Sequence, residues 1–304
     1  MTRKLMGSAF ELIVLEDDKN LAELALEAGL NEIKRLEELL TEYEQTSFTS
    51  LLNKNAGKIP MQAEEEVYDL LKRCINVSQL TQGSFDITVG PLKKLYNFKN
   101  ERFILPDKKA VKNALKLTGY QNISLLEDRN IFLQKTGMHI SFNAIGKGYA
   151  ADRVKKLWTN MGIQNGVVNA SGDLTVLGKK ADGEAWKIGI ADPDDPEKIL
   201  CYLPIDNASV ATSGDYEQYF VKNGIRYAHT IDPKTGKPVT GIKSVTVISP
   251  GAELSDALAT AVFVMGIKTG IHFINQLPHT HCLIIDDHNR ISHSANLTFE
   301  YEKV

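Results

Sequence analysis

The sequence predicts an α+β protein, because its helical and strand-like segments are grouped along the chain and do not alternate regularly. Amphipathic helical patterns dominate the chain up to residue 162, and short strand-like segments separated by turns dominate the rest. Hydrophobic residues make up 43% of the 304 positions, which is enough for a large buried core. No Pro/Gly-rich linker marks a boundary, so residues 1–304 are expected to form one domain.

The first half of the chain begins with a predicted strand from Phe10 to Leu15. A long amphipathic helix follows, which Asp17 or Asp18 caps and which is expected to end near Tyr43. Further helices are predicted at 63–80, from residue 91, at 110–117 and at 146–161, and short strands around residues 123, 131 and 140. The apolar stripe of the long helix is typical of a helix that covers other structure.

The second half of the chain carries most of the strand-like patterns. Strands are predicted at 167–168, 174–176, 186–190, 210–211, 216–221, 227–231, 245–248, 282–285 and 297–301. Two helices, at 256–265 and 269–275, separate the last two strands from the others.

Composition excludes several classes of function. The formal net charge is -3 and no long basic run occurs, which argues against a nucleic-acid surface. No stretch approaches the roughly 20 apolar residues of a membrane span, and no apolar run of a secretory leader follows the first residues. The sequence therefore predicts a cytoplasmic protein, or an exported one if a leader has been removed. Three widely spaced cysteines provide neither a disulfide framework nor a Cys-x-x-Cys metal site.

A carboxylate and a hydroxyl enter an otherwise apolar helix at residues 255–265. At helical spacing, Asp256 and Thr260 lie one turn apart on the same face. An uncompensated carboxylate in apolar surroundings costs several kcal/mol, roughly, and a hard cation such as Mg²⁺ or Ca²⁺ would remove that cost. The simpler alternative makes Ser255 the N-cap and places Asp256 in the first turn, and this segment alone favours that alternative.

Four other segments combine chemistry with turn-forming residues. Segment 83–92 has glycine at both ends of its extended part, and segment 143–149 enters a helix through Gly146 and Gly148. Segment 210–216 is a turn of small hydroxyl residues. In segment 229–239, His229 precedes an Asp-Pro turn. Free amides at a glycine-rich helix start can bind a phosphate, and a histidine can act as a base near neutral pH. Local structure explains each segment equally well when it is taken alone.

In type and order, these motifs resemble those of the FAD:protein FMN transferase family, also called the ApbE family. The resemblance covers nearly the whole chain, through residues 6–8, 43–53, 83–92, 145–152, 211–216, 229–236 and 256–260. It departs from the usual family pattern at Asn143, where many relatives have glycine, and at Ser171, which begins a turn that usually reads Gly-Gly-Asp.

The resemblance implies a T-fold-like α+β protein with mixed, mainly antiparallel sheets and covering helices. It also implies that the chain binds FAD and Mg²⁺ and moves FMN to a Thr or Ser hydroxyl of a partner flavoprotein, with release of AMP. The partner's acceptor motif would resemble Asp-Gly-x-Ser/Thr-Ala-Thr. His229 would be needed for transfer, together with the metal ligands Asp256 and Thr260. Main-chain oxygens of Gly146 and Ala259 would complete the metal site, and flavin contacts would fall on Met6, Tyr43, Ser84, Phe85, Asp86 and Ile231.

Two alternatives keep the same ligand. One is a hydrolase that cleaves FAD to FMN and AMP, and the aromatic ring of Tyr43 argues against it because that ring would help to hold FMN for the acceptor. The other is a flavin-binding protein without turnover. The presence of Asp256, Thr260 and His229 argues against this second alternative.

Overall fold

An eight-stranded antiparallel sheet lies at the centre of the computed structural model, which describes residues 1–98, 104–214 and 218–301. The strands are β1 (Thr2–Leu5), β2 (Ser8–Leu15), β3 (Met61–Gln62), β4 (Ile123–Leu125), β5 (Asn130–Leu133), β6 (Asn165–Ala170), β7 (Asp173–Leu177), β8 (Trp186–Asp192), β9 (Asp195–Ile205), β10 (Ser209–Gly214), β11 (Tyr219–Lys222), β12 (Ile225–Ala228), β13 (Ile242–Ser249), β14 (His281–Asp286), β15 (Ile291–His293) and β16 (Glu300–Tyr301). The helices are α1 (Lys19–Leu40), α2 (Phe48–Lys54), α3 (Glu65–Leu80), α4 (Gly90–Lys93), α5 (Lys108–Lys116), α6 (Gly146–Asn160), α7 (Ala252–Met265) and α8 (Ile267–Ile274).

The central sheet has the order β1-β2-β6-β7-β10-β13-β14-β15, and every neighbouring pair is antiparallel. Smaller sheets comprise β16-β9-β8, β3-β5-β4 and β11-β12. The α+β class and the mainly antiparallel pairing predicted above are therefore confirmed. No helix within the described residues is both long and apolar enough to cross a membrane.

Side-chain alternation gives the central sheet two apolar faces. On one face, Phe10 and Leu12 of β2 pack with Ile33 and Leu36 of α1. On the other face, residues of β6, β7, β10, β13 and β14 pack against the long β8–β9 hairpin, where Leu203 is buried. The sheet is thus covered by helices on one side and by a hairpin on the other, which explains why its central strand β13 is buried along its whole length.

The structure corrects several predicted boundaries. Helix α1 begins after its N-cap Asp18, as predicted, but it ends at Leu40 and not near Tyr43, because Thr41 adopts an extended conformation. The strand predicted at 297–301 is shorter, and residues 216–217 of the strand predicted at 216–221 lie outside the described residues. Five elements were not predicted: β1, α2, the short strands β3 and β15, and the long strand β9.

The strand predicted around Ile140 is wrong. Ile140 is buried, but its backbone N–H donates to Asn53 Oδ1 (2.7 Å), and its carbonyl accepts from Asn53 Nδ2 (2.9 Å). A side-chain amide therefore satisfies both backbone groups, so this apolar segment needs no neighbouring strand.

The proposed N-cap at Ser255 is also wrong. Helix α7 begins at Ala252, and the Asp152 carboxylate from α6 accepts hydrogen bonds from the backbone N–H groups of Ala252 and Glu253, both at 2.9 Å. The Ser255 hydroxyl is buried and lies 2.8 Å from the Ser249 hydroxyl. Because an acid from another helix caps α7, Asp256 lies beyond the first turn and its burial needs another explanation.

Candidate functional site

A cavity of about 520 Å³ opens where the central sheet is incompletely paired. Strand β10 pairs with β7 only through Ser209 and Val210, then continues as far as Gly214 beside β13 alone among the described strands. We call the unpaired space beside residues 212–214 the sheet notch. Residues 212–214 line the cavity, as do residues from the loops before α4 and after β12 and from the facing side of α7. The volume suits a ligand of small-molecule size.

Asp256 lies in this cavity and is 5% exposed. Its Oδ2 accepts a hydrogen bond from the backbone N–H of Gly148 (3.1 Å). Burial raises the pKa of this carboxyl to about 8, and the nearby charge of Asp173 adds to the effect. Helices α6 and α7 approach closely here, because a Cβ at Gly148 would lie 2.2 Å from the Ala252 carbonyl oxygen. Glycine at 148 therefore allows the amide to reach the carboxylate.

Asp173 is a second carboxylate in the same cavity, and no sequence pattern predicted its place there. It begins β7, is 2% exposed and forms an ion pair with the Lys147 ammonium from the first turn of α6. Its position three residues after the turn at Ala170 places it at the sheet notch. Sequence reasoning named it only within the turn that departs from the family pattern, because the β6–β7 hairpin that brings it to Asp256 is a tertiary feature.

Hydroxyl groups line the cavity beside the two carboxyl groups. We call the surface formed by Asp173, Thr212, Ser213, Asp256 and Thr260 the polar wall. Thr260 follows Asp256 by one helical turn, lines the cavity and has its Oγ1 3.3 Å from the Ser213 Oγ. On the neighbouring position of β10, the Thr212 hydroxyl lies 2.9 Å from that of Thr246. The carboxylates and hydroxyls are hard oxygen donors of the kind that Mg²⁺ and Ca²⁺ prefer. Within the described residues, no group of three or more His, Cys, Asp or Glu side chains forms a metal cluster.

His229 faces the same cavity, and its imidazole is in the tautomer that leaves Nε2 free to accept a proton. Its Nδ1 lies 3.2 Å from the Gln218 carbonyl oxygen, which can only accept, so Nδ1 carries the proton in this contact. Burial lowers the pKa of the imidazole to about 4, with smaller effects of the charges on Lys93 and Lys147. The ring is therefore neutral at pH 7, and Nε2 keeps the lone pair that a base needs.

Of the residues predicted to contact a flavin, all except Met6 line the cavity. Tyr43, Ser84, Phe85 and Ile231 line the cavity, and Tyr43 is 78% exposed at its mouth. Asp86 also lines it, but its carboxylate accepts hydrogen bonds from the Thr88 hydroxyl and backbone N–H and from the Tyr120 backbone N–H. Burial raises the pKa of Asp86. Its carboxylate therefore holds a turn together and contributes mainly shape to the site.

Met6, Gly146 and Ala259 do not contribute to the cavity lining found among the described residues. Gly146 begins α6, and Ala259 is fully buried on α7 between the residues of the polar wall. Met6 has φ +49°, donates its backbone N–H to Glu37 Oε1 (2.7 Å) and packs beside Gly146. The predicted flavin contact of Met6 and the predicted metal coordination by main-chain oxygens of Gly146 and Ala259 therefore stay predictions.

Asn143, one of the departures from the family pattern, joins a polar cluster next to the cavity. Its Nδ2 donates to Glu42 Oε1 (3.0 Å) and lies 3.4 Å from the Tyr43 hydroxyl. Glu42 also accepts from the Ser141 hydroxyl (2.8 Å) and is hydrogen-bonded to the His139 ring through Nε2. Asn143 thereby connects the exposed ring of Tyr43 to buried structure, a role that its sequence position alone did not indicate.

An interrupted antiparallel sheet, two buried carboxylates, a row of hydroxyls and a neutral histidine define an α+β protein with an enclosed, oxygen-rich ligand site. Such a site suits a phosphorylated ligand whose charge is balanced by a hard cation. The chain belongs to the ApbE family, because the family's model matches residues 6–284.

Relatives and solved structures agree with this assignment. The chain is similar to proteins named FAD:protein FMN transferase from Treponema pallidum (31% identical, covering 90% of this chain and 80% of that one) and Klebsiella pneumoniae (33%, 90% and 84%). Its fold is similar to that of the ApbE protein of Thermotoga maritima, with a TM-score of 0.88 and 33% identity over 97% of this chain and 96% of that one. It is also similar to the apo form of the flavinyl transferase ApbE of Pseudomonas stutzeri (TM-score 0.86, 27% identity, 97% and 94% covered).

Proposed function

We propose that this chain transfers FMN from FAD to a Ser or Thr hydroxyl of a partner protein and releases AMP. The observation that carries the proposal is the meeting, in one cavity, of neutral His229 with the buried Asp256 and the Thr260 hydroxyl. Membership of the ApbE family supports FAD as the substrate. The cavity is polar enough for a diphosphate and has an aromatic residue, Tyr43, at its mouth for a flavin ring.

The reaction is a displacement at phosphorus. The acceptor oxygen forms a bond to the phosphorus of the FMN half, and the bond from that phosphorus to the bridging oxygen breaks. AMP leaves with the bridging oxygen and the bonding electron pair. His229 Nε2 takes the hydroxyl proton, directly or through a water molecule, and the Gln218 carbonyl holds the ring in the required tautomer.

The donor set of the cavity fits a divalent cation. Asp256 and Thr260 would hold Mg²⁺, with main-chain oxygens of Gly146 and Ala259 from the same two helices, and Asp173 is a further carboxylate within electrostatic reach. When bound, such a cation neutralises charge on phosphate oxygens. Without it, burial and the charge of Asp173 both oppose ionisation of Asp256, so a bound cation would stabilise the charged form of this carboxyl.

The remaining assignments concern the flavin, the chain and the partner. We assign Tyr43, Ser84, Phe85 and Ile231 to flavin contact, with Asp86 and Met6 shaping the wall behind them. Because the residues that line the cavity run from Ser8 to Thr260, we treat 1–304 as one domain. The partner is a flavoprotein with a motif like Asp-Gly-x-Ser/Thr-Ala-Thr. A cytoplasmic location stays a prediction that cell fractionation tests.

One experiment tests the proposal against both alternatives. The protein is incubated with FAD and Mg²⁺, with and without a partner carrying the acceptor motif, and the products are separated on a denaturing gel and by chromatography. Flavin fluorescence that stays with the denatured partner supports transfer. AMP and FMN formed at the same rate without partner would instead support a hydrolase, and FAD recovered intact in both reactions would support binding without turnover.

A further inference from the structure

A second cavity, of about 330 Å³, lies on the opposite face of the central sheet from α7. It fills the open end of the space between that sheet and the β8–β9 hairpin. We call it the hairpin groove and define it by the lining residues Glu11, Asn169, Trp186, Ile188, Thr212 and Ser244. Apolar residues line its inner part, and polar side chains of β2, β6, β10 and β13 line the end toward the sheet notch.

The hairpin groove meets the candidate active site at the sheet notch. Thr212 lines both cavities. Residues 171–174 alternate between the two cavities. Ser171 and Asp173 line the active-site cavity, and Gly172 and Leu174 line the groove. A group bound in the hairpin groove at Thr212 is therefore close to a ligand bound in the active-site cavity on the opposite face of the sheet.

The wall of the groove offers unused backbone and side-chain hydrogen-bonding groups. Residues 186–191 of β8 all line it, and such a continuous run includes side chains of both strand faces, so the strand's edge borders the groove. Among the described strands, β8 pairs only with β9, which leaves that edge unpaired. In addition, the Trp186 Nε1 is buried and has no hydrogen-bond partner among the described residues. A buried indole N–H without an acceptor is unusual, and a bound carbonyl would satisfy it.

We propose that the hairpin groove binds the acceptor segment of the partner protein as an extended chain along β8, with its hydroxyl residue reaching the sheet notch. This inference rests on the proposed FMN transfer. Addition of a strand to an exposed edge is a common way to bind an extended peptide. It would also deliver the nucleophile from the face of the sheet opposite α7, and therefore from the side away from the polar wall that carries Asp256 and Thr260.

The first test removes the indole donor and keeps an aromatic ring. In Trp186→Phe, the KM for the acceptor protein is expected to rise about tenfold, while the KM for FAD stays within about twofold of wild type. The thermal midpoint of the free enzyme should not fall, because the variant loses an N–H that has no partner in the free state. An unchanged acceptor KM, or an equal rise in the FAD KM, would contradict the proposal.

The second test blocks the groove without touching the core. Glu11→Cys places a thiol at an exposed groove position, and the native cysteines Cys74, Cys201 and Cys282 are buried, so a bulky thiol reagent labels position 11 selectively. Labelling is expected to reduce FMN transfer at least tenfold and to leave FAD binding unchanged. Glu197→Cys, exposed on β9 away from the groove, is the matched control and should keep full transfer after labelling.

The two proposals fail in different ways. If wild-type protein transfers FMN but labelled Glu11→Cys does so with an unchanged acceptor KM, the groove assignment is wrong and the transferase assignment stands. If labelling weakens FAD binding, the groove holds part of the nucleotide instead of the acceptor. If wild-type protein transfers no FMN to the acceptor, both proposals are wrong.

Discussion

At the scale of single residues, the site combines groups that stabilise the protein poorly with groups suited to chemistry. Asp256 and Asp173 are two buried carboxyl groups in one cavity, and Asp173 forms an ion pair with Lys147. Such an arrangement costs free energy of folding and is expected where function requires it.

Replacement of Asp256 by Asn tests this trade-off. The amide oxygen can still accept from Gly148, and the variant no longer has a carboxyl whose ionisation is opposed by burial and by the charge of Asp173. We expect the thermal midpoint of the metal-free protein to stay equal or to rise by a few degrees, while FMN transfer falls at least about 100-fold and stabilisation by Mg²⁺ is lost. Differential scanning fluorimetry with and without Mg²⁺, together with the transfer assay, measures these changes.

The control for this variant is Asp206→Asn, which changes a solvent-exposed carboxylate on the far side of β9 and should alter neither property. A clear loss of stability in metal-free Asp256→Asn would contradict the account, because it would show that the carboxylate has a structural partner.

His229 is the residue assigned to proton removal. His229→Ala is expected to lower the transfer rate by a factor of about 10² to 10⁴, the usual contribution of a general base, and to leave FAD affinity within about twofold. Fluorescence titration with FAD and the gel assay separate these effects. His272→Ala, on the surface of α8, is the matched histidine control. Full transfer by His229→Ala would exclude the role.

The rate should depend on pH in a way that an ordinary histidine does not produce. The base works when neutral, and its pKa is lowered from 6.5 to about 4, so transfer should persist as the pH falls through 6.5 and decline only well below it. Because the charge of Lys93 contributes to this lowering, Lys93→Met should move the decline toward higher pH. Values of kcat/KM measured from pH 8 down to below pH 4 check both points, and half-loss near pH 6.5 in the wild type would contradict them.

Sequence patterns predicted part of the candidate site at this scale. The spacing of Asp256 and Thr260 fixed their common helix face, and both line the cavity together with His229. Their roles remain predictions. Asp173 and Lys147 could not be assigned, because the distances that bring them to Asp256 depend on how α6 packs against α7 and on the β6–β7 hairpin. Local sequence contains no record of such contacts.

At the scale of elements, two helix starts position the polar wall. Asp152 of α6 caps α7, and the Gly148 amide of α6 holds the Asp256 carboxylate on α7. The position of Asp256 therefore depends on the distance between α6 and α7. Gly148 allows that distance to be short because it has no side chain.

Gly148→Ala tests this dependence. The added methyl would lie 2.2 Å from the Ala252 carbonyl oxygen and 2.9 Å from the Asp256 Cβ, so the helices must move apart. We expect a loss of about 1–3 kcal/mol in the free energy of unfolding and a large loss of transfer. Denaturant unfolding and the transfer assay provide the measurements.

Gly183→Ala is the control for backbone strain alone, since φ is +80° there and nothing lies within 4 Å of the added methyl. It should lose some stability and keep transfer. If Gly148→Ala retained both properties, the helix contact would not position Asp256 as we describe.

Helices with a clear hydrophobic periodicity could be predicted from the sequence. Segments whose structure depends on contacts with distant residues could not. Helices α1, α3 and α6 show amphipathic patterns, and their positions were predicted within a few residues. The strand expected at Ile140 is a loop because Asn53 satisfies its backbone, and strand β9 was missed because its outer half is polar. In both cases a tertiary partner or the solvent outweighed local propensity.

At the scale of the whole molecule, the interrupted pairing of β7 and β10 is the feature on which the proposed function depends. It opens the sheet between a helix-covered face with the polar wall and a hairpin-covered face with the groove. The sequence predicted the α+β class and the grouping of its elements. It could not predict the sheet notch, because strand order and register arise from long-range pairing.

The most direct test of the central claim is mass spectrometry of an acceptor protein after incubation with this enzyme, FAD and Mg²⁺, with AMP measured in the same sample. The account predicts FMN on a single Ser or Thr of the acceptor motif, one AMP released for each FMN attached, and neither product with Asp256→Asn. AMP release without modified acceptor, or acceptor modification that Asp256→Asn leaves unchanged, would contradict it.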